Sequence, residues 1–126
     1  DHARLQSAQL VLQRVPELLQ QCAAPAAHVV LMGDLNCDAA SAPYALLASS
    51  EGLQDSKMVC EAPEDQDQFT GTFTGFDPNC LHGPEIDFIF VSPHTRVQRW
   101  AVLEGRSPRG GFGSDHRPVL VTLQLA

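Results

Sequence analysis

The chain of 126 residues has a single tryptophan, a single tyrosine and only eight lysines and arginines against fifteen aspartates and glutamates. A net charge of −7 argues against a protein that holds nucleic acid by bulk electrostatics, although a divalent metal can supply positive charge locally. No apolar run approaches the roughly 20 residues that span a bilayer, so no membrane segment is expected. The four cysteines, Cys22, Cys37, Cys60 and Cys80, show no C-x-x-C spacing, which argues against a zinc site and a disulfide scaffold. They read as free thiols and favour an intracellular setting. No signal-peptide pattern is visible, and no internal repeat. No G-x-S-x-G turn is present, which sets aside a Ser-His-Asp hydrolase. The chain opens Asp1-His2-Ala3-Arg4 directly into amphipathic sequence, so its start is expected to be a cut within a domain.

What is there suits a soluble globular domain: 44% apolar and 18% charged residues in a length that fits one domain. Leu5, Ala8, Leu12, Val15 and Leu19 recur at helical spacing over 3–21, with Pro16 expected to kink or break the run. Residues 28–34, "HVVLMGD", form an apolar run of strand length. Its continuous apolarity predicts a central strand covered on both faces, with Met32 in the core. "SAPYALLASSEG", 41–52, reads as a short helix with Ser41 near its N-cap and Pro43 in its first turn. "EAPEDQDQ", 61–68, reads as an acidic solvated loop, and "FTGTFTGF", 69–76, as a bulged or short strand. Strands follow at 86–91, along "RVQRWAVLEG" with Val97, Trp100 and Val102 inward, and along "PVLVTLQL"; Phe88 and Phe90 are core by default. The order gives an α/β or α+β layout with a mixed sheet. Two helices are few to cover both faces of such a sheet.

Polar residues gather at the strand ends. Asp34 and Asn36 follow the run 28–33, Asp87 interrupts the apolar strand 86–91, and Asp115 and His116 precede the last strand. Side chains at strand ends are held by rigid backbone, which suits chemistry. Asp87 stands between Ile86 and Phe88, where an unpaired carboxylate is costly, so it needs a partner. His116 is the best one available. A carboxylate accepting from one ring nitrogen fixes the tautomer and favours the imidazolium. Each element also has a plain structural reading. Asp34 and Asn36 suit an ordinary Asx turn, Asp87 a bond to backbone amides, and Asp115-His116 a capped loop end.

"GDLN", "EIDFIFVS" and "SDHRPV", in this order, resemble the C-terminal motifs of the endonuclease/exonuclease/phosphatase superfamily. The opening "DHARLQSAQLVL" and "GTFTGF" are similar to the flanking segments of that family. The resemblance implies a four-layered αββα sandwich, two β-sheets covered by helices, with residues 1–126 forming its C-terminal half. It also implies hydrolysis of phosphoester bonds with Mg²⁺ or Mn²⁺. In that scheme Asp34 orients or deprotonates the attacking water and can touch the metal. Asn36 donates to a phosphate oxygen or holds the nucleophile, Asp87 orients His116, His116 contacts the scissile phosphate and stabilises its developing charge, and Asp115 is a metal ligand, directly or through water. The family's Glu, Asn and central His of the N-terminal half have no counterpart here, so this chain alone is expected to have little activity. A phosphodiesterase, of nuclease or lipid type, comes first, with nucleic acid as one substrate class. A phosphatase of small phosphorylated molecules comes second, and a binding module that keeps the fold without the chemistry third. Only Arg106, Arg109 and Arg117 gather near the last motif, where they could touch a phosphate.

Overall fold

The structure is a computed structural model that describes residues 2–63 and 70–125. Helix α1, His2–Gln21, is continuous through Pro16. No break occurs there because Pro16 lies on the exposed side, where water can satisfy the carbonyl that loses its amide donor. Helix α2, Ala42–Ala48, follows Ser41, whose Oγ donates to the Asp38 carbonyl at 2.6 Å instead of capping the helix. Pro43 sits in the first turn, where its missing N–H costs nothing.

Among the described residues, six strands form two sheets. The first runs β1 (Val30–Asp34), β4 (Asp87–Val91), β2 (Gln54–Asp55), all antiparallel. The second runs β3 (Ala62–Pro63), β5 (Arg96–Val102), β6 (Val119–Gln124), with β3 parallel and β6 antiparallel to β5. The result is an α+β arrangement with antiparallel pairings and flanking helices. Alternation along β4 divides the core. Phe88 and Phe90 face the helices, packing with Ala8 of α1, Leu47 of α2 and Leu53. Ile89 and Val91 face the second sheet, meeting Val97, Val119, Val121 and Leu123. Both helices therefore lie on one face of the first sheet, and the second sheet covers the other.

Val97, Trp100 and Val102 are buried as expected. A register shift between Val97 and Arg99 sets Val97 opposite Leu123 and Trp100 opposite Val121, so an odd spacing still puts both side chains on the inner face.

The run 28–34 differs from the sequence reading. Strand β1 is an edge strand, and Val30 and Met32 are 39% and 65% exposed. Both pair with β4 residues that face the second sheet, Val91 and Ile89, so they point to that side. Strand β6 packs against β4, and among the described residues Met32 is left largely uncovered. Apolarity records a face fit to be covered, which is a different property from being covered within this span.

Residues 64–68 of the expected acidic loop and Phe69 lie outside the described residues. The remainder of "FTGTFTGF" forms isolated bridges rather than a strand, Thr70 with His82 and Phe73 with His116. Segment 70–74 crosses 81–85 at close range, with Thr72 and Phe73 both donating their amides to the Pro84 carbonyl. At Gly71, φ +80°, a Cβ would fall 1.9 Å from the Gly83 carbonyl oxygen, so only glycine allows this crossing. The crossing sets Thr72 beside the start of β4.

All four cysteines are free thiols. Among the described residues, no helix is long and apolar enough to cross a membrane.

Candidate active site

The antiparallel register of β1 and β4 puts Asp34 directly opposite Asp87, so the two carboxylates share the face turned to the second sheet. The chain then enters β6 through Asp115 and His116. His116 Nδ1 lies 2.7 Å from Asp87 Oδ2, and its Nε2 lies 3.9 Å from Asp34 Oδ2. The imidazole thus bridges two carboxylates brought from two strands. The hydrogen bond to Asp87 raises the His116 pKa above the ordinary histidine value. The charges of Asp87, Asp34 and Asp115 act in the same direction, and burial opposes them.

Each member is held from behind. Thr72, fully buried, accepts at its Oγ1 from the amides of Ile86 and Asp87, both at 3.1 Å, and so fixes the backbone that carries the Asp87 carboxylate. The Phe73 ring meets the His116 ring edge-on, with centroids 5.1 Å apart. The His116 amide donates to Ser114 Oγ at 3.1 Å. The Asp34 Oδ1 accepts from the Asn36 amide at 2.7 Å, an Asx turn that places Asn36 at φ +51°. The turn reading and the site reading of Asp34 therefore both hold, since one oxygen makes the turn and the other faces His116.

Asn36 lines, with Asp34, a recess of about 350 Å³ on the α1 side. Asp115 stands next to His116 and acts on it through its charge. Its backbone carbonyl accepts from Thr74 N at 2.7 Å, Thr74 Oγ1 at 2.9 Å and Gly75 N at 3.3 Å. Among the described residues, the group whose ligating atoms lie within 4.8 Å of one another is Asp34, Asp87 and His116, without Asp115. Asp87 spends one oxygen on His116, and the Asp34 oxygen facing the imidazole is the one not used in the Asx turn. Such oxygen donors fit a hard cation that takes one or two carboxylates and keeps several waters.

Two of the three arginines near the last motif are engaged within the fold. Arg117 is 2% exposed and donates from Nη2 to the Cys80 carbonyl at 2.5 Å, so it braces the fold instead of reaching a phosphate. Arg106 pairs with Glu104 at 2.7 Å, donates to the Pro78 carbonyl and stacks on Phe112. Arg109 is exposed. Thr72 and Phe73 were not singled out from sequence, although "GTFTGF" was the segment that carried them. Arg4, on the first turn of α1, lines the recess of Asp34 and Asn36 and was also missed. Its signal was a basic residue on an otherwise uncharged helix start.

Two packed sheets with helices on one face, and carboxylates and an imidazole converging at strand ends, define a layered α+β protein with its polar cluster at the strand ends. Residues 3–116 match the Endonuclease/Exonuclease/phosphatase family, and the chain belongs to that family. Its fold is similar to that of a mannosyl-6-phosphatase from Bacteroides thetaiotaomicron VPI-5482, with TM-score 0.85 and 36% identity over 99% of this chain and 47% of that one. A second endonuclease/exonuclease/phosphatase family protein from Bacteroides thetaiotaomicron matches with TM-score 0.83 and 34% identity over 98% of this chain and 46% of that one. A functionally unknown protein from Enterococcus faecalis V583 matches with TM-score 0.77 and 29% identity, over 98% and 44% of the two chains. The chain thus spans about half the length of the solved relatives it matches. Comparison with curated proteins gives no match.

Proposed function

We propose that the chain forms the strand-end half of a metal-dependent phosphatase site for small phosphorylated molecules, with phosphorylated sugars as the first class to test. The observation that carries this reading is the His116 bridge, Nδ1 at 2.7 Å from Asp87 and Nε2 at 3.9 Å from Asp34. Similarity to a mannosyl-6-phosphatase supports the substrate class. The net charge of −7 and the structural engagement of Arg106 and Arg117 favour a small ester over a nucleic-acid strand, so the phosphatase stands ahead of the phosphodiesterase or nuclease.

Hydrolysis forms a bond from water oxygen to phosphorus and breaks the phosphorus–ester oxygen bond, and the departing ester oxygen takes a proton from solvent water. Asp34 Oδ2 accepts a hydrogen bond from the attacking water and takes its proton as the new bond forms. Asp87 holds Nδ1–H of His116, so the protonated ring presents Nε2–H to a phosphoryl oxygen and stabilises charge there. The hydrogen bond to Asp87 raises the His116 pKa and so favours the protonated ring. Asn36 donates its amide to another phosphoryl oxygen. Asp34 and Asp115 would hold Mg²⁺, or Mn²⁺, which supplies Lewis-acid neutralisation of the phosphoryl charge.

The uncovered face of β1 and the coverage of 47% of the first solved relative support a larger domain, in which other residues close over Met32 and complete the site. Residues 1–126 alone are accordingly expected to turn over little. Phosphate release from a hexose 6-phosphate and from a phosphodiester, each with and without Mg²⁺, tests the reading on the full-length chain. Preference for the diester would reverse the order of the two substrate classes.

A further inference from the structure

Segment 74–80 leaves the Asp115–His116 strand end as a loop tied down from three sides. The amides of Thr74 and Gly75 and the Thr74 hydroxyl donate to the Asp115 carbonyl. The Arg106 guanidinium donates to the Pro78 carbonyl, and Arg117 Nη2 donates to the Cys80 carbonyl at 2.5 Å. Within the loop, Cys80 N donates to the Asp77 carbonyl at 3.1 Å and Asn79 N to the Asp77 carboxylate at 2.9 Å. Such ties remove the freedom an exposed loop ordinarily keeps, and a rigid surface is what recognition requires.

Phe76 stands on this loop at φ +63° with 59% of its surface exposed. The left-handed region disfavours a bulky side chain, and the ring belongs to neither apolar cluster. Neither the backbone nor the core gives a reason for phenylalanine here, and strain of this kind is stored where a site needs it. The location gives the reason. At the preceding Gly75 a Cβ would lie 3.6 Å from Phe73 Cζ, and the Phe73 ring in turn meets His116. Phe76 directly follows Gly75, whose amide donates to the Asp115 carbonyl at 3.3 Å, so its backbone lies beside the residue that precedes His116.

We propose that Phe76 is a specificity-determining platform beside the phosphate site, taking the ring of a phosphorylated saccharide on its face. The inference rests on the small-molecule phosphatase reading and names the recognition of the non-phosphate part. An aromatic face carries negative charge density and attracts the C–H face of a sugar, and exposed Asp77 and Asn79 flank it for the hydroxyls. The acidic chain disfavours a polynucleotide as the occupant.

The test compares kcat/KM for a hexose 6-phosphate with kcat/KM for glycerol phosphate, which has no ring, on the full-length chain. Phe76→Ala is expected to lower that ratio about tenfold, the order of one aromatic stacking contact, and Phe76→Trp to restore it. Phe76→Gly should lose the same ratio while raising Tm, because glycine accepts the positive φ. An unchanged ratio in Phe76→Ala, or a lower Tm in Phe76→Gly, overturns the platform. If the wild type hydrolyses neither ester, the phosphatase reading fails, and the platform is read separately from quenching of the Phe76→Trp fluorescence by the hexose 6-phosphate. Quenching by the sugar phosphate supports it; no quenching, or quenching by adenosine monophosphate alone, overturns it.

Discussion

His116 Nδ1 sits 2.7 Å from Asp87 Oδ2, while the opposite ring nitrogen faces Asp34 at 3.9 Å. One imidazole therefore connects β4 to β1 across the end of a sheet in which those two carboxylates are register partners. The geometry separates two tasks. Asp87 fixes the ring, and Nε2 is left for whatever enters between His116 and Asp34.

Replacing Asp87 by Asn keeps the shape and removes the charge that orients and protonates the ring. An amide can also present its N–H₂ to Nδ1 and turn the tautomer round. The expected loss in kcat is on the order of 100-fold or more, with a small change in KM. Steady-state kinetics on a phosphomonoester checks this, and an Asp87→Asn enzyme within a few-fold of wild type contradicts the assignment.

The pH dependence follows from the same pair. The His116 pKa is raised in the folded state, chiefly by the bond to Asp87. A group raised on folding contributes its stability fully below the unfolded value of about 6.5 and loses it as pH rises through the folded value. The His116–Asp87 pair therefore stabilises the protein at pH 6 and less at pH 9. Denaturant unfolding at the two pH values should show a smaller difference for His116→Gln than for the wild type, and an equal difference rules the pair out as its source.

Thr72 bears on the site without entering it. Its Oγ1 accepts two amides at the start of β4, and Thr72→Val leaves both without that acceptor in a buried place. The expected destabilisation is about 1–3 kcal/mol. Thr72→Ser keeps the hydroxyl and should recover most of both stability and activity. Urea midpoints for the three proteins decide it, and a Val variant as stable as wild type would show that the hydroxyl does not position Asp87.

Metal binding is expected to depend on Asp34. Isothermal titration with Mn²⁺ should give weaker binding for Asp34→Asn by at least tenfold. Asp115→Asn should weaken binding as well, and unaltered binding there would leave the ion to the close group of Asp34, Asp87 and His116. Unaltered binding in Asp34→Asn would remove Asp34 from the metal site.

Much of this was legible in the sequence. Continuous or alternating apolarity located β1, β4, β5 and β6, and a carboxylate inside the apolar strand 86–91 announced that Asp87 has a partner. The Asp87–His116 pairing follows from the cost of burying a lone charge, and the structure brings the two together. Exposure was less legible, because an apolar strand does not say what covers it, and Met32 is largely exposed. Pro16 was read as an interruption, yet solvent on its side of α1 makes its lost bond cheap. Arg117 shares a motif with His116 but points into the fold, and adjacency in sequence cannot tell one side of a chain from the other. The role of Thr72 comes from the close crossing at Gly71 and Gly83, a long-range contact with no local pattern.

The central claim is that the Asp34–His116–Asp87 group carries phosphoester hydrolysis. The most direct measurement is the rate of inorganic phosphate release from a hexose 6-phosphate by the full-length chain with Mg²⁺, for the wild type and for His116→Asn. The account expects release by the wild type, abolition on chelation of the metal, and a fall of about 1,000-fold or more in His116→Asn. Release at the wild-type rate in His116→Asn would contradict it.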